Sequence, residues 1–273
     1  MAKELVIPTL DNEDMQDLEN RFLTSIRKNI NNFSYWFPKI KDCGIPVPES
    51  IIIQLPNEII KSFFMEEPGD DERIVAFVKE SVLPAIPSEW GIFFLKNGCF
   101  SNKFDFRNCC CTRNLHHIVQ AIESINYDAL CYDTDGESEL VIRQFLFPKP
   151  IEDQPIYKIY NGMPLRPEIR VFYDFDKKKA LYSANYWDWS YCHDGISERD
   201  DTDKLAYETA YPFIQDFYEK HKVEAEVLVN KSLKDCDLKG IWSVDLMWHD
   251  GQFWLIDMAI GCRSAYWNPE LAK

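Results

Sequence analysis

The sequence predicts an α+β fold in which a mostly helical N-terminal region precedes strands that pair mainly in an antiparallel manner. Two observations support this prediction. Helical spacing of apolar residues dominates the first 87 residues, whereas later residues form short apolar runs separated by turns. Two of those turns, at 176–179 and 249–251, join consecutive apolar runs and therefore indicate antiparallel hairpins.

The N-terminal region is predicted to contain three helices and one short buried strand. The first helix opens at Asp11, runs to about residue 32 and has an apolar stripe of Met15, Leu18, Phe22 and Ile26. The strand lies at 51–53, and the other helices lie at 57–65 and 70–82. Pro84 and Pro87 then interrupt the chain, so we place a domain boundary after residue 87.

After the prolines, most predicted elements are strands. Strands are predicted at 90–96, 140–146, 168–175, 180–187 and 223–229 and in a final hairpin over 242–257, and helices at 115–125 and 203–220. Pro148 and Pro150 mark a second boundary. The predicted division is therefore 1–87, a helical/α+β region, 88–150, a first lobe, and 151–273, a second lobe.

Composition and charge exclude several classes of protein. The 273 residues include 45 Asp and Glu against 30 Lys and Arg, a formal net charge of −15. This balance argues against binding to nucleic acid or a membrane surface, because either requires a basic footprint. No apolar run approaches the roughly 20 residues of a membrane span. The start lacks a signal peptide and the nine cysteines lack the spacing of a disulfide framework, so we expect reduced thiols and a cytoplasmic protein.

The final hairpin is informative because its register decides where two carboxylates lie. A three-residue loop at 249–251 would pair Trp248 with Gln252 and place Asp245 and Asp257 on one face, as diagonal neighbours about 7–8 Å apart. There they could share a cation. A two-residue loop would drive Asp257 among the tryptophans, where an unpaired carboxylate is costly. Alternatively, the two acids make independent structural caps or ion pairs.

In the favoured register, the hairpin has one apolar face and one face that carries both acids. The apolar face consists of Trp242, Val244, Leu246, Trp248, Trp254 and Ile256. The other face carries Ser243, Met247, Phe253 and Leu255 beside the two aspartates.

Candidate phosphate-binding cations lie upstream of this hairpin. Lys96 ends a predicted strand and precedes a small-residue loop that contains Lys103, an arrangement that offers phosphates point charges and backbone N–H groups. The Walker motif is absent, and a solvated strand end also accounts for such a lysine. Glu168 and Arg170 share one face of an apolar strand, where they form either a structural ion pair or part of a site.

Taken in order, these motifs resemble those of the ATP-grasp superfamily over about residues 88–268. They are Ile92-Phe93-Phe94-Leu95-Lys96, the hinge strand at 140–146, Glu168-Ile169-Arg170-Val171-Phe172, and Val244-Asp245-Leu246 with Trp254-Leu255-Ile256-Asp257. Two branches are the most similar. One is the clade named for an arginine and two lysines, found in bacteria and their phages. The other is the eukaryotic cell-division-cycle family that helps to assemble translation initiation factor two.

The resemblance implies that ATP lies between two α+β lobes with Mg²⁺ bound by Asp245 and Asp257. It implies that Lys96 contacts the α- and β-phosphates, that Lys103 comes from the covering loop, and that Arg170 faces the γ-phosphate. The catalytic cations would be Arg170 and Lys103, which is sensible because cations stabilise charge during phosphoryl transfer.

The resemblance also assigns the base-binding side of the site. Arg143 would lie beside the nucleotide, and the backbone of Gln144, Phe145 and Leu146 would meet the adenine edge. The chain departs from the superfamily at Ala259, where many members carry a metal-binding asparagine two residues after the last metal acid.

Other residues of this region keep two interpretations. Glu168 or Asn268 could replace the ligand missing at Ala259, and the sequence does not choose between them. Arg263 fits an anchor for an anionic substrate and equally a surface arginine.

Two functions follow from the resemblance. The first is an ATP- and Mg²⁺-dependent ligase that joins a carboxylate to an amine, or to a thiol, through an acyl phosphate. The second is an ATP-binding assembly factor or chaperone that recognises a protein partner without forming a bond. The acidic composition suits a basic partner, and Ala259 favours weakened catalysis.

Three further features receive structural interpretations. Cys109, Cys110 and Cys111 with His116 and His117 lack the spacing of a zinc site and a group that would orient a thiol nucleophile. The aromatic run at 186–191 could stack on a base, but packing explains it more simply. The acids Asp200, Asp201 and Asp203 suit the start of a helix.

Overall fold

The computed structural model describes residues 12–65, 72–134, 136 and 138–272. Its helices are α1 (Asn12–Arg27), α2 (Phe33–Ile40), α3 (Asn57–Met65), α4 (Glu72–Phe77), α5 (Leu83–Ala85), α6 (Phe106–Cys109), α7 (Leu115–Cys131), α8 (Trp189–Ser197) and α9 (Asp201–Leu233). Its strands are β1 (Ser50–Gln54), β2 (Phe93–Asn97), β3 (Cys110–Cys111), β4 (Glu139–Gln144), β5 (Lys158–Ile159), β6 (Met163–Pro164), β7 (Glu168–Asp174), β8 (Lys179–Asn185), β9 (Ile241–His249) and β10 (Gln252–Ile260).

Two four-stranded antiparallel sheets form the framework of the fold. The first has the strand order β1-β4-β2-β3, and the second has the order β10-β9-β7-β8. Strands β5 and β6 form a separate short pair. The predicted α+β class with mainly antiparallel strands is therefore confirmed.

Each sheet packs mainly on one apolar core, although Val141 of β4 also belongs to the second core. The first sheet packs against α3, α4 and α7, and the second packs against α2 and α9. Alternation along β9 produces the second core, because Trp242, Val244 and Leu246 all point into it. The opposite face of β9, which carries Asp245 and Met247, is therefore free to line a cleft.

The N-terminal region takes part in the packing of both sheets. Its strand β1 pairs with β4 in the first sheet, and its helix α2 places Phe33 and Trp36 in the second core. The domain boundaries after residues 87 and 150 stay predictions. The predicted helix starts at Asp11 and Asp70 lie outside the described residues.

Helix α1 is shorter than predicted and ends at Arg27. Its predicted apolar stripe is mostly exposed, since Met15, Leu18 and Phe22 have exposed fractions of 53%, 49% and 40%. Ile26, the last residue of the predicted stripe, is buried, and so is Leu23, which the prediction left out. The buried contacts of α1 are therefore made by Leu23 and Ile26 near its C-terminal end.

The strand predicted at 223–229 is wrong, because this segment belongs to α9. Its alternating apolar and acidic residues suggested a strand, but burial follows helical spacing. Ala225, Val229 and Leu233 are buried at four-residue intervals, whereas Val223 and Val227 are exposed. No glycine or proline follows residue 220 in this segment, so nothing in the sequence ends the helix there.

Candidate functional site

A cleft between the two sheets gathers the residues that the sequence singled out. It encloses about 840 Å³, a volume that includes space open to solvent. Its walls include Lys96, Lys103, Arg143, Gln144, Phe145, Leu146, Asp245 and Asp257. The remaining predicted residue, Arg170, lies beside them and binds Asp245.

Lys96 reaches the cleft because β2 alternates between core and cleft. Phe93 and Leu95 are buried in the first core, whereas Phe94 and Lys96 line the cleft. The Lys96 side chain is only 1% exposed, and its Nζ donates to both carboxylate oxygens of Asp257, at 2.9 and 2.8 Å. This contact links the first sheet to the second across the cleft.

Asp257 points into the cleft because β10 contains a β-bulge. The observed register of the hairpin therefore differs from the predicted one. The loop has two residues, Asp250 and Gly251, both with positive φ, so His249 pairs with Gln252. The predicted pairing of Trp248 with Gln252 is wrong, because Trp248 pairs with Phe253.

The two-residue loop and the bulge together change which residues of β10 face the core. The register shifts between Leu255 and Asp257, so Ile256 is the extra residue, and Asp257 lies directly opposite Asp245 rather than diagonal to it. Phe253 and Leu255, predicted beside the acids, lie in the core instead. Ile256, predicted on the apolar face, lines the cleft, so both acids still reach the cleft.

Arg170 and Asp245 form a bidentate ion pair within the second sheet. They are direct partners on β7 and β9, and Arg170 Nε and Nη2 each donate to an Asp245 oxygen at 2.7 Å. Burial alone would lower the pKa of Arg170, but Asp245 outweighs it and the pKa is raised. The Arg170 cation is therefore fixed at the floor of the cleft.

Lys103 approaches this floor from the loop after β2. Its Nζ donates to Tyr186 Oη and lies 3.8 Å from the centre of the Tyr186 ring. Burial would lower the pKa of Lys103, but Tyr186, Glu168 and Asp245 raise it above its ordinary value. Burial raises the pKa of Glu168, although the nearby Lys103 cation opposes that effect.

Arg143 is a buried cation with an incomplete set of partners. Its Nη1 donates to Ile256 O at 2.5 Å, and its Nε has no hydrogen-bond partner within the part of the chain that the structure describes. Burial lowers its pKa to about 10, and the Asp257 carboxylate opposes that effect. Arg143 therefore remains charged near pH 7.

The cleft differs in charge from the protein as a whole. Five cations lie in or beside it, namely Lys96, Lys103, Arg143, Arg166 and Arg170, against the three carboxylates Glu168, Asp245 and Asp257. With every group ionised, the cleft carries two net positive charges within a chain of formal charge −15. An anionic ligand is therefore favoured here over the rest of the surface.

Sequence reasoning missed two residues of the cleft, Tyr186 and Arg166. Tyr186 belongs to the aromatic run that was assigned to packing, yet it lines the cleft. Arg166 precedes Glu168 and Arg170 at the same two-residue spacing, and this signal could have identified it.

Three further positions that the sequence analysis considered lie in the hairpin or at the surface. Ala259 pairs with Ser243 in the hairpin, and Arg263 and Asn268 are exposed. Among the described residues, no group of three or more His, Cys, Asp and Glu side chains is arranged to hold a metal ion.

The cysteine cluster and the acidic helix start have structural surroundings. Burial raises the pKa of the Cys110 thiol to about 11 and that of Cys111 to about 12, and it raises that of Cys109 too. Such thiols are poor nucleophiles at neutral pH. Asp200 caps α9 by accepting from the backbone N–H groups of Thr202 and Asp203.

None of the helices in the described ranges is long and apolar enough to cross a bilayer.

Comparisons with known proteins agree on the fold. No family model matches the sequence, and no curated protein matches it. C-terminally truncated Cdc123 from Schizosaccharomyces pombe matches with a TM-score of 0.55 and 15% identity, over 89% of this chain and 88% of that chain. A second structure of Cdc123 from the same organism has a TM-score of 0.51, 17% identity and the same coverage. At these identities the likeness concerns the fold alone: the chain shares the mixed α+β fold of Cdc123, a cell-division-cycle protein like those of one branch that its sequence resembles.

Proposed function

We propose that this protein binds ATP together with Mg²⁺ in the cleft between its two sheets. The observation that carries the proposal is the cleft's excess of two positive charges, grouped around a slot that connects both sheets. The Mg·ATP complex carries about two net negative charges at neutral pH, so it would neutralise this excess. A neutral or cationic ligand would leave the buried cations uncompensated.

The positions of the side chains support an orientation for the nucleotide. Gln144, Phe145 and Leu146 form one end of the cleft with Phe94 and Phe106 nearby, an apolar surface that suits a base. Lys96, Lys103 and Arg170 lie toward the two aspartates, where the phosphates would lie. Arg143 lies between these ends and would contact the nucleotide beside its phosphates.

The donor set fits Mg²⁺ held jointly by protein and nucleotide. Asp245 and Asp257 face each other on paired strands, and the Asp257 side chain is 33% exposed. Mg²⁺ commonly binds one or two carboxylates plus phosphate oxygens and water, rather than a complete protein cage. Asp245 and Asp257 would therefore hold the ion, which would supply positive charge that offsets the charge of the phosphates.

The reaction that best uses this arrangement is ligation of a carboxylate to an amine or a thiol. A substrate carboxylate oxygen attacks the γ-phosphorus, the bond to the β-phosphate oxygen breaks, and ADP leaves. The amine or thiol then attacks the acyl carbon, loses its proton, and phosphate leaves. Arg170 and Lys103 would bind the transferred phosphoryl group and stabilise its charge.

A second candidate is an ATP-binding assembly factor that recognises a basic protein partner. The specific observation in its favour is Ala259, which offers no side-chain ligand two residues after Asp257. Both metal-binding acids are also held by cations, at Lys96 and Arg170. Such a site would bind the nucleotide while transferring its phosphoryl group slowly.

Calorimetric titration with Mg·ATP tests nucleotide binding. Lys96→Met and Asp257→Asn should each weaken binding at least about tenfold, because each removes a charged contact. Lys149→Met and Asp250→Asn are matched controls, since this exposed pair has the same chemistry outside the cleft. Unchanged affinity in both cleft variants, or no binding by the wild type, would refute the site.

Nucleotide turnover separates the two functions. The ligase should release ADP and phosphate only when a carboxylic acid and an amine or thiol are both supplied, and Arg170→Met should abolish that release. Tight Mg·ATP binding with no turnover against mixtures of acids, amines and thiols would favour the assembly factor.

A further inference from the structure

Tyr186 joins the two cations that the resemblance assigns to the phosphoryl group, although the sequence placed it in a packing cluster. Its Oη accepts a hydrogen bond from Lys103 Nζ, and one ring holds both cations on its surface. Lys103 Nζ lies 3.8 Å from the ring centre and Arg170 Cζ lies 4.8 Å from it. Both distances are within the range of cation–π attraction.

The second sheet holds Tyr186 firmly from several sides. Its backbone N–H donates to Glu168 O at 3.0 Å, and its carbonyl accepts from Tyr266 Oη at 2.7 Å. The ring packs edge-on against Trp187, which is 2% exposed. Tyr186 is therefore a fixed point to which a flexible side chain can be tied.

Lys103 needs such a fixed point. It belongs to the short 3-10 turn Lys103–Asp105 on the loop after β2, while its charge is needed over the second sheet. A free lysine loses much rotamer entropy when it is fixed on a ligand. A lysine already held on Tyr186 loses less of this entropy when phosphate arrives.

We propose, on the basis of the proposed function, that Tyr186 is a positioning residue that holds Lys103 and Arg170 over the phosphoryl group of ATP. It acts through the two cations and does not itself contact the reacting atoms. Its hydroxyl fixes Lys103, and its ring lies against both cations.

The test is a double-mutant cycle measured by calorimetric titration with Mg·ATP. Tyr186→Phe removes the hydroxyl but keeps the ring, so affinity should fall about tenfold. In a Lys103→Met background, the same substitution should change affinity less than about twofold, because the hydroxyl no longer has a lysine to hold. Tyr186→Leu removes the ring too and should weaken binding further.

Two controls keep the outcome decisive. Tyr218→Phe removes a hydroxyl that donates from α9 to Ser183 O on β8, outside the cleft, and it should leave affinity unchanged. Urea denaturation should show that Tyr186→Phe remains folded. Equal losses in the two backgrounds, or no loss at all, would overturn the positioning role. If the wild type itself binds no Mg·ATP, the proposed function fails instead.

Discussion

The two ion pairs of the cleft have the same chemistry but different anchors. Arg170 and Asp245 are partners on adjacent strands of one sheet, and both are buried. Lys96 and Asp257 belong to different sheets, and Asp257 keeps a third of its side chain in contact with solvent. We infer that the first pair maintains the second sheet, whereas the second pair exchanges partners when a ligand enters.

The largest expected effect is on the pair within the sheet. Asp245→Ala would leave the Arg170 guanidinium buried without its carboxylate, which costs about 3–5 kcal/mol of the free energy of unfolding. Urea denaturation measures this change. The double variant Asp245→Ala/Arg170→Met should recover part of the loss, because it removes the uncompensated charge. A loss below about 1 kcal/mol in the single variant would contradict a structural role, since exposed pairs contribute that little.

The pair across the cleft should affect ligand binding more than stability. Lys96→Met preserves most of the apolar volume and leaves Asp257 partly hydrated, so we expect a loss of only about 1–2 kcal/mol. The same urea measurement, set beside Asp245→Ala, compares the two pairs directly. If Lys96→Met destabilises the protein as much as Asp245→Ala does, the distinction between the pairs is wrong.

The fold class and the grouping of the two acids could be predicted from sequence, but the path of β10 could not. Asp257 lies in the cleft and not in the apolar core, as predicted, because an unpaired carboxylate is costly in such a core. The chain meets that requirement with a two-residue loop and a bulge at Ile256, rather than with a longer loop. Both solutions place the acids on the cleft side, so the pattern of acids and apolar residues does not distinguish them.

The contacts between the two sheets could not be predicted from the sequence either. Lys96 and Asp257 are 161 residues apart, and no local spacing indicates that they meet. The end of α9 shows a different difficulty, since the alternation of Val223, Ala225 and Val227 suits a strand while the neighbouring helix continues through it. Tertiary packing of Ala225 and Val229 decides between the two.

Deletion of Ile256 tests whether this residue is the extra residue of the bulge in β10. Leu255 and Asp257 already pair with consecutive residues of β9, so a chain without Ile256 would form a regular ladder with Asp257 still in the cleft. We expect a loss of about 1 kcal/mol and retained Mg·ATP binding. The Arg143 contact with Ile256 O would be replaced or lost.

Deletion of Trp254 is the matched control for that experiment. It would make Phe253 and Leu255 adjacent and force one of these core residues to the other face. Its effect on the free energy of unfolding should be much larger. Similar losses from the two deletions would show that Ile256 is an ordinary ladder residue.

The smallest expected effect concerns Glu168, a carboxylate of the cleft that lies near the Lys103 cation. Burial raises its pKa, and the Lys103 cation only partly opposes that effect. A carboxyl with a raised pKa binds its proton more tightly in the folded chain. The wild type therefore loses stability as the pH rises from the ordinary value of about 4.3 through the raised value.

Glu168→Gln mimics the protonated form and does not titrate. The free energy of unfolding of the variant, relative to wild type, should therefore increase with pH above about 4.3 and become constant above the raised pKa. Urea denaturation at pH 4, 5, 6 and 7 measures this slope, with the exposed Glu198→Gln as a control for the substitution itself. A relative stability that falls with pH would mean that Lys103 and Arg170 stabilise the Glu168 anion more than burial disfavours it. The cleft would then hold a third ion pair at Glu168, and the contrast between the other two pairs would no longer describe how it receives a ligand.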